Sequence, residues 1–83
     1  MDQIARRPQQ IGAAVRRRRK QMALSQDALG ERIRLRQATI SKLEAGEPGV
    51  RLQTLLDALS ALGLELVIRP RSTASPRDIE EIF

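Results

Sequence analysis

The sequence predicts a mainly α fold: a bundle of four to five short helices with one C-terminal β-strand. Three observations lead there. Apolar residues recur at helical spacing in short windows: Ile11, Val15 and Met22; Leu29 and Ile33; Ile40 and Leu43; then Leu52, Leu55, Leu56, Leu59 and Leu62. Capping and turn residues separate the windows, among them Ser25, Gly46, Pro48, Gly49 and Gly63. One run, Leu64 to Arg69, is rich in β-formers and stops at Pro70.

Each element follows from its residues. Pro8 opens the first helix at a position where its missing N–H costs nothing. Its inner face carries Ile11, Val15 and Met22, with Ala14 beside them, and continues through Arg19. A cation on an inner face needs a partner. Ser25 is a good N-cap for a second helix, Gln26 to Ile33, with Leu29 and Ile33 inside. Gly30 costs about 1 kcal/mol relative to Ala in mid-helix, and close approach of another helix is the expected reason. Arg34–Leu35–Arg36 forms the turn. The third helix runs from about Gln37 to Ala45, with Ile40, Leu43 and Glu44 inward. Glu44 is the partner for Arg19. Gly46 closes this helix, Glu47–Pro48–Gly49 is a loop, and the leucine stripe makes a fourth helix ended by Gly63.

A lone strand cannot satisfy its own N–H and C=O groups. The strand at 64–69 is therefore expected to pair with its copy in a second subunit, Leu64, Leu66, Val67 and Ile68 forming an intermolecular sheet in a homodimer. The alternative, prolongation of the fourth helix, is opposed by Gly63. Residues 72–76 read as a linker. Ser75, Pro76 and Asp78 suit the start of a last short helix presenting Ile79, Ile82 and Phe83, either disordered or docked on a partner. The divisions are thus an N-terminal arm (1–8), a helical domain (9–63), a dimerisation strand (64–71) and a tail (72–83).

Composition narrows the function. Eighty-three residues make one small domain. The chain has no Cys, His, Trp or Tyr. That leaves no disulfide framework, no expected zinc or other metal site, no cofactor and no nucleophile–base pair, so an enzyme is not expected. No secretory leader and no run near the ~20 apolar residues of a membrane span is present, so a soluble, cytoplasmic protein is expected. The net charge is +5, and residues 1–23 alone carry seven Arg or Lys against Asp2. The excess centres on Arg16–Arg17–Arg18–Arg19–Lys20. Such a run is either a solvated helix face or a contact to nucleic-acid phosphate.

The third helix favours the second reading. Its outer face shows Arg36, Gln37, Ala38, Ser41 and Lys42, with no acid. A Gln near the start of a recognition helix can bond adenine N6 and N7 together. Ala38 and the Thr39 methyl suit a thymine methyl, while Arg36 and Lys42 suit guanine or phosphate. Gln26 opens helix 2, where free N–H groups make an anion site. Two short helices about a tight turn complete a helix-turn-helix.

The stretch Leu24–Ser25–Gln26–Asp27–Ala28–Leu29, followed by Gln37–Ala38–Thr39–Ile40–Ser41–Lys42–Leu43–Glu44–Ala45–Gly46, resembles the XRE, or phage-repressor-like, helix-turn-helix family. The resemblance covers about residues 9–62 and implies the lambda-repressor-like bundle. The strand-like run after helix 4 is similar to that of HipB-type antitoxins of type II toxin–antitoxin operons. These are homodimers that bind operator DNA and hold a kinase-like toxin. The resemblance implies that Arg36, Gln37, Ala38, Ser41 and Lys42 face base edges. It implies phosphate contacts from Ser25, Gln26, Thr39, Arg51 and Arg17, with Gln26 also buttressing Gln37. Arg19 and Glu44 become an internal ion pair. The implied partners are double-stranded DNA carrying an inverted repeat, a second copy of the chain, and a kinase-like toxin, with no membrane. The implied place is the bacterial cytoplasm, on the nucleoid when bound to DNA. A stand-alone regulator of the same fold, or an interaction module with an inactive helix-turn-helix, are the alternatives. Three features depart from the family: Arg34 where Gly is usual at the turn, Val50–Arg51 where Ser or Thr usually caps helix 4, and Gly30 in place of the usual Ala, a small-for-small change.

Overall fold

The computed structural model describes residues 3–71. Four helices follow one another: α1 (Pro8–Gln21), α2 (Gln26–Ile33), α3 (Gln37–Ala45) and α4 (Leu52–Ala61). α3 packs against both α1 and α2, and α4 packs against α2. The core is aliphatic: Val15 from α1, Leu29 from α2, Ile40 and Leu43 from α3, and Ala58, Leu59 and Leu62 from α4 and its end. Each fully buried aliphatic side chain of this size contributes roughly 1.5–3 kcal/mol.

The starts of the helices obey local chemistry. Pro8 occupies the first position of α1, and the Gln10 side chain reaches back to accept from the Arg7 backbone N–H at 3.1 Å. Ser25 caps α2: its Oγ accepts from the Ala28 N–H at 3.0 Å. α3 and α4 start at Arg36 and Arg51 with no side-chain cap bond.

All four helices leave by the same hydrogen-bonded corner. A residue in the left-handed region follows each helix: Ala23 (φ 55°), Arg34 (φ 58°), Gly46 (φ 80°) and Gly63 (φ 68°). The next residue's N–H then returns to a carbonyl five residues back: Leu24 to Arg19 (3.1 Å), Leu35 to Gly30 (2.8 Å), Glu47 to Lys42 (3.1 Å) and Leu64 to Leu59 (2.8 Å). In three of the four, the returning residue is a leucine that is at least half-buried.

Three sequence expectations need correction or completion. The sequence reading of Gly30 is that it admits another helix. A Cβ there would instead sit 2.5 Å from the Leu35 carbonyl oxygen, so the turn itself needs the space. The helix-to-helix approach is at Gly12, where a Cβ would lie 2.6 Å from the Leu43 carbonyl and closer still to that of Glu44. The α4 stripe is only partly internal: Leu59 and Leu62 are buried, but Leu52 is 65% exposed and Leu56 is exposed too. Thr54 and Ala58 take the inward positions instead, because the packed face is rotated toward α2.

α4 stops at Ala61, so residues 64–69 do not prolong it. Among the described residues none is in a strand, and residues 65–71 close no backbone hydrogen bond with any of the others. Leu64 packs on the core, whereas Leu66, Val67 and Ile68 are exposed, Ile68 to 91%. The expected fifth helix, with Ile79, Ile82 and Phe83, lies outside the described residues.

Candidate nucleic-acid interface

α2, the turn at Arg34–Arg36 and α3 form the expected two-helix unit. The turn closes although Arg34 replaces glycine. It adopts φ 58° and ψ 43°, a conformation that costs a non-glycine residue about 1–2 kcal/mol. Ile40 and Leu43 anchor α3 in the core. Arg36, Gln37, Ala38, Ser41 and Lys42 are all exposed, and Thr39 is half-buried. From residue 32 to 43 the chain carries Arg32, Arg34, Arg36 and Lys42 and no acid. The outward side of the turn and α3 is therefore cationic and rich in hydrogen-bonding groups.

A chain of polar contacts ties that surface to the interior. Arg19 donates from Nε to Glu44 Oε2 at 2.6 Å and from Nη2 to Glu44 Oε1 at 2.9 Å. Its Nη1 donates to the Leu24 carbonyl at 2.8 Å. The two side chains are only 9% and 4% exposed. Glu44 Oε1 also accepts from Gln26 Nε2 at 3.2 Å, and Gln26 Oε1 accepts from Gln37 Nε2 at 3.0 Å. Gln37 thus stands at the surface end of a series running Arg19, Glu44, Gln26, Gln37.

The physical consequence is pre-organisation. A free glutamine side chain loses rotamer entropy of order 1–2 kcal/mol when a ligand fixes it. Here Gln26 fixes the Gln37 amide in advance, and a charged, bidentate pair fixes Gln26. The hydrogen bond from Arg19 to Glu44 raises the guanidinium's pKa, burial opposes the rise, and the attraction of the carboxylate adds to it. A raised pKa on a base means that its contribution is present below the unfolded value and lost only above the folded one. The Arg19 side of the pair is therefore intact throughout the neutral range.

The remaining predicted residues are spread around this centre. Ser25 is exposed, but its Oγ already serves the α2 cap. Arg17, on α1, and Arg51, at the start of α4, are exposed, and their side chains carry no hydrogen bond to another described residue. One cation of the basic run turns inward instead. Arg18 is half-buried and donates from Nε to the Leu62 carbonyl at 2.9 Å. Its role was legible in principle, since Ile11, Val15, Arg18 and Met22 share one helical stripe. No cluster of acids that would hold a metal ion occurs among the described residues. No helix there is long and apolar enough to cross a membrane.

Fold and surface together define a helix-turn-helix protein whose recognition helix presents a cationic, amide-bearing face. The family model described as Helix-turn-helix matches residues 15–68, and the chain belongs to that family as an XRE-like member similar to HipB proteins. No curated protein matches the sequence. Among solved structures, a HipB–O4 20mer complex superposes with a TM-score of 0.79 at 28% identity, covering 86% of this chain and 100% of that one. A HipA-HipB-O2-O3 complex matches with the same score, identity and coverage. A third HipB structure, a complex designated HipB-O1-O2, gives a TM-score of 0.77 at 29% identity, covering 83% of this chain and 100% of that one. The chain is a HipB-like, DNA-binding regulator.

Proposed function

We propose that the chain is a homodimeric operator-binding repressor and serves as the antitoxin of a type II toxin–antitoxin operon, which it autoregulates while holding a kinase-like toxin. The observation that carries the DNA-binding reading is the hydrogen bond from Gln37 to Gln26, anchored through Glu44 on buried Arg19. In this reading Gln37 reads an adenine edge, with Arg36, Ala38, Ser41 and Lys42 beside it. Ser25, Gln26, Thr39, Arg51 and Arg17 meet phosphates that flank the groove. The exposed segment with Leu66, Val67 and Ile68, whose backbone bonds to no other described residue, supports pairing with a second copy. Two recognition helices then enter successive major grooves, about 34 Å apart, on an inverted repeat. The toxin half is supported by the likeness to a HipB protein solved together with HipA.

Binding to a duplex selected from randomised DNA tests the first half. Affinity falls steeply with salt, because several Arg and Lys displace counterions. Gln37→Ala costs about 1–3 kcal/mol on the selected duplex and little on random DNA. Equal losses on both duplexes defeat the base-reading role. Expression with the neighbouring reading frames tests the second half: a kinase-like protein co-purifies with an antitoxin, and the homodimer alone emerges from a stand-alone regulator.

A further inference from the structure

We propose that Arg18 is a positioning residue that aims the C-terminal arm, and through it sets the half-site spacing of the dimer. The assignment rests on the dimer reading above. α4 ends with unsatisfied carbonyls, as every helix does. One of them, Leu62 O, accepts from Arg18 Nε at 2.9 Å, across 44 residues of sequence. The arm leaves at once from this point. Gly63 turns it with φ 68°, the Gly63 N–H returns to Ser60 O at 3.1 Å, and Leu64 N–H returns to Leu59 O at 2.8 Å. Leu64 then packs on the core. Beyond Leu64, residues 65–71 make no backbone hydrogen bond to another described residue. The arm's direction is therefore set by three things: the left-handed turn, the Leu64 contact, and the Arg18 guanidinium, which lies 3.5 Å from where a Gly63 Cβ would stand.

Direction matters because the arm is a lever. A swing of about 15° on a lever of about 17 Å, half the distance between successive major grooves, moves a recognition helix by about 4–5 Å. That exceeds the ~3.4 Å rise of one base pair. A loosened arm still pairs and each half still binds its half-site, but the two halves no longer demand one spacing. Arg18 also links the arm to α1, whose neighbouring Arg16, Arg17 and Lys20 are exposed. The donor suits this role, since Nε lies in a rigid planar fork, whereas lysine offers a mobile point charge.

The test uses the full chain and a set of duplexes carrying the half-site selected by the wild type, with the separation of the two copies varied in single base pairs. Wild type prefers one separation by about tenfold or more. Arg18→Met keeps the aliphatic stem and removes the donor. Its preference falls to within about threefold, while single half-site affinity and the dimer dissociation constant stay within about twofold of wild type. Arg18→Lys falls between the two. Gly63→Ala strains the same exit from the other side and also flattens the preference, so the test survives if Arg18→Met does not fold. An Arg18→Met chain with the wild-type spacing preference overturns the proposal. So does a parallel loss of half-site binding, dimerisation and spacing preference, which is the signature of a merely structural residue. A wild-type chain that sediments as a monomer on DNA defeats the dimer reading itself, and is distinguished from the other outcomes before any variant is made.

Discussion

The corners after α1 and α2 and those after α3 and α4 use the same hydrogen bonds but different residues. Gly46 and Gly63 supply the left-handed turn in the second half of the chain; Ala23 and Arg34 supply it in the first. For an L-residue this conformation costs about 1–2 kcal/mol. What all four corners share is the return bond of the following residue; in three of them that residue is a half-buried leucine, and two of these, Leu24 and Leu64, pack on the core. The difference teaches that packing, rather than the turning residue, fixes these corners. Leu24 packs on the core and Leu35 is half-buried with its N–H bonded to Gly30 O, and the residue before each bends to allow it.

The glycine corners are themselves unequal, and this gives the largest expected effect. A Cβ at Gly46 would stand 2.6 Å from the Gln9 Cα, which is backbone and cannot give way. Gly46→Ala therefore suffers the left-handed cost together with an overpacking cost of about 1–3 kcal/mol. Less the entropy that alanine removes from the unfolded chain, the expected loss is about 2–4 kcal/mol in urea unfolding. A loss below about 1 kcal/mol would mean that α1 shifts freely over the end of α3, and the corner is then not a packed contact.

Gly63→Ala tests the turn angle nearly alone. The nearest group is the Arg18 guanidinium at 3.5 Å, an ordinary contact at the end of a flexible side chain. The expected loss is about 1 kcal/mol. Parity with Gly46→Ala would show that the clash at Gln9 is absent and that angle, not space, governs both sites.

The same contrast explains how much could be read beforehand. α1 to α4 were legible because Pro8, Ser25, Gly46 and Gly63 mark their ends with residues of known local preference. The Arg19–Glu44 pair was legible because helical spacing put both on inner faces. Gln26 and Gln37 were legible as neighbours through the family resemblance, and the hydrogen bond between them is present. Gly12 was not singled out, since a close approach of α1 to the backbone of α3 is a property of the pair of helices and of neither alone. Arg18 is different: its inward direction follows from the Ile11, Val15 and Met22 stripe, but its acceptor, Leu62 just past α4, is a property of the packed bundle. Ala23 was invisible for a simpler reason: alanine carries no mark of a left-handed turn, and only the packing of Leu24 creates one. Leu52 and Leu56 misled because a stripe of five leucines is wider than the face that α2 can cover.

The smallest effect runs the other way and bears on the residue that departs from the family. Arg34→Gly and Ala23→Gly each relieve about 1–2 kcal/mol of left-handed cost but return about 0.4–1 kcal/mol of freedom to the unfolded chain. Each should stabilise by a few tenths to about 1 kcal/mol, a rise of up to about 4–8 °C in melting temperature for a domain of this size. Protein concentration must be held constant, because dimerisation would shift both values. Arg34 is exposed and Ala23 is exposed, so neither substitution removes a buried contact. If packing of the following leucine sets the corner, the two gains agree within error and add in the double variant, since the corners lie at opposite ends of α2. A loss of stability at Arg34→Gly with a gain at Ala23→Gly would show that the Arg34 side chain itself holds the turn, and would separate two corners that the hydrogen bonds make look alike.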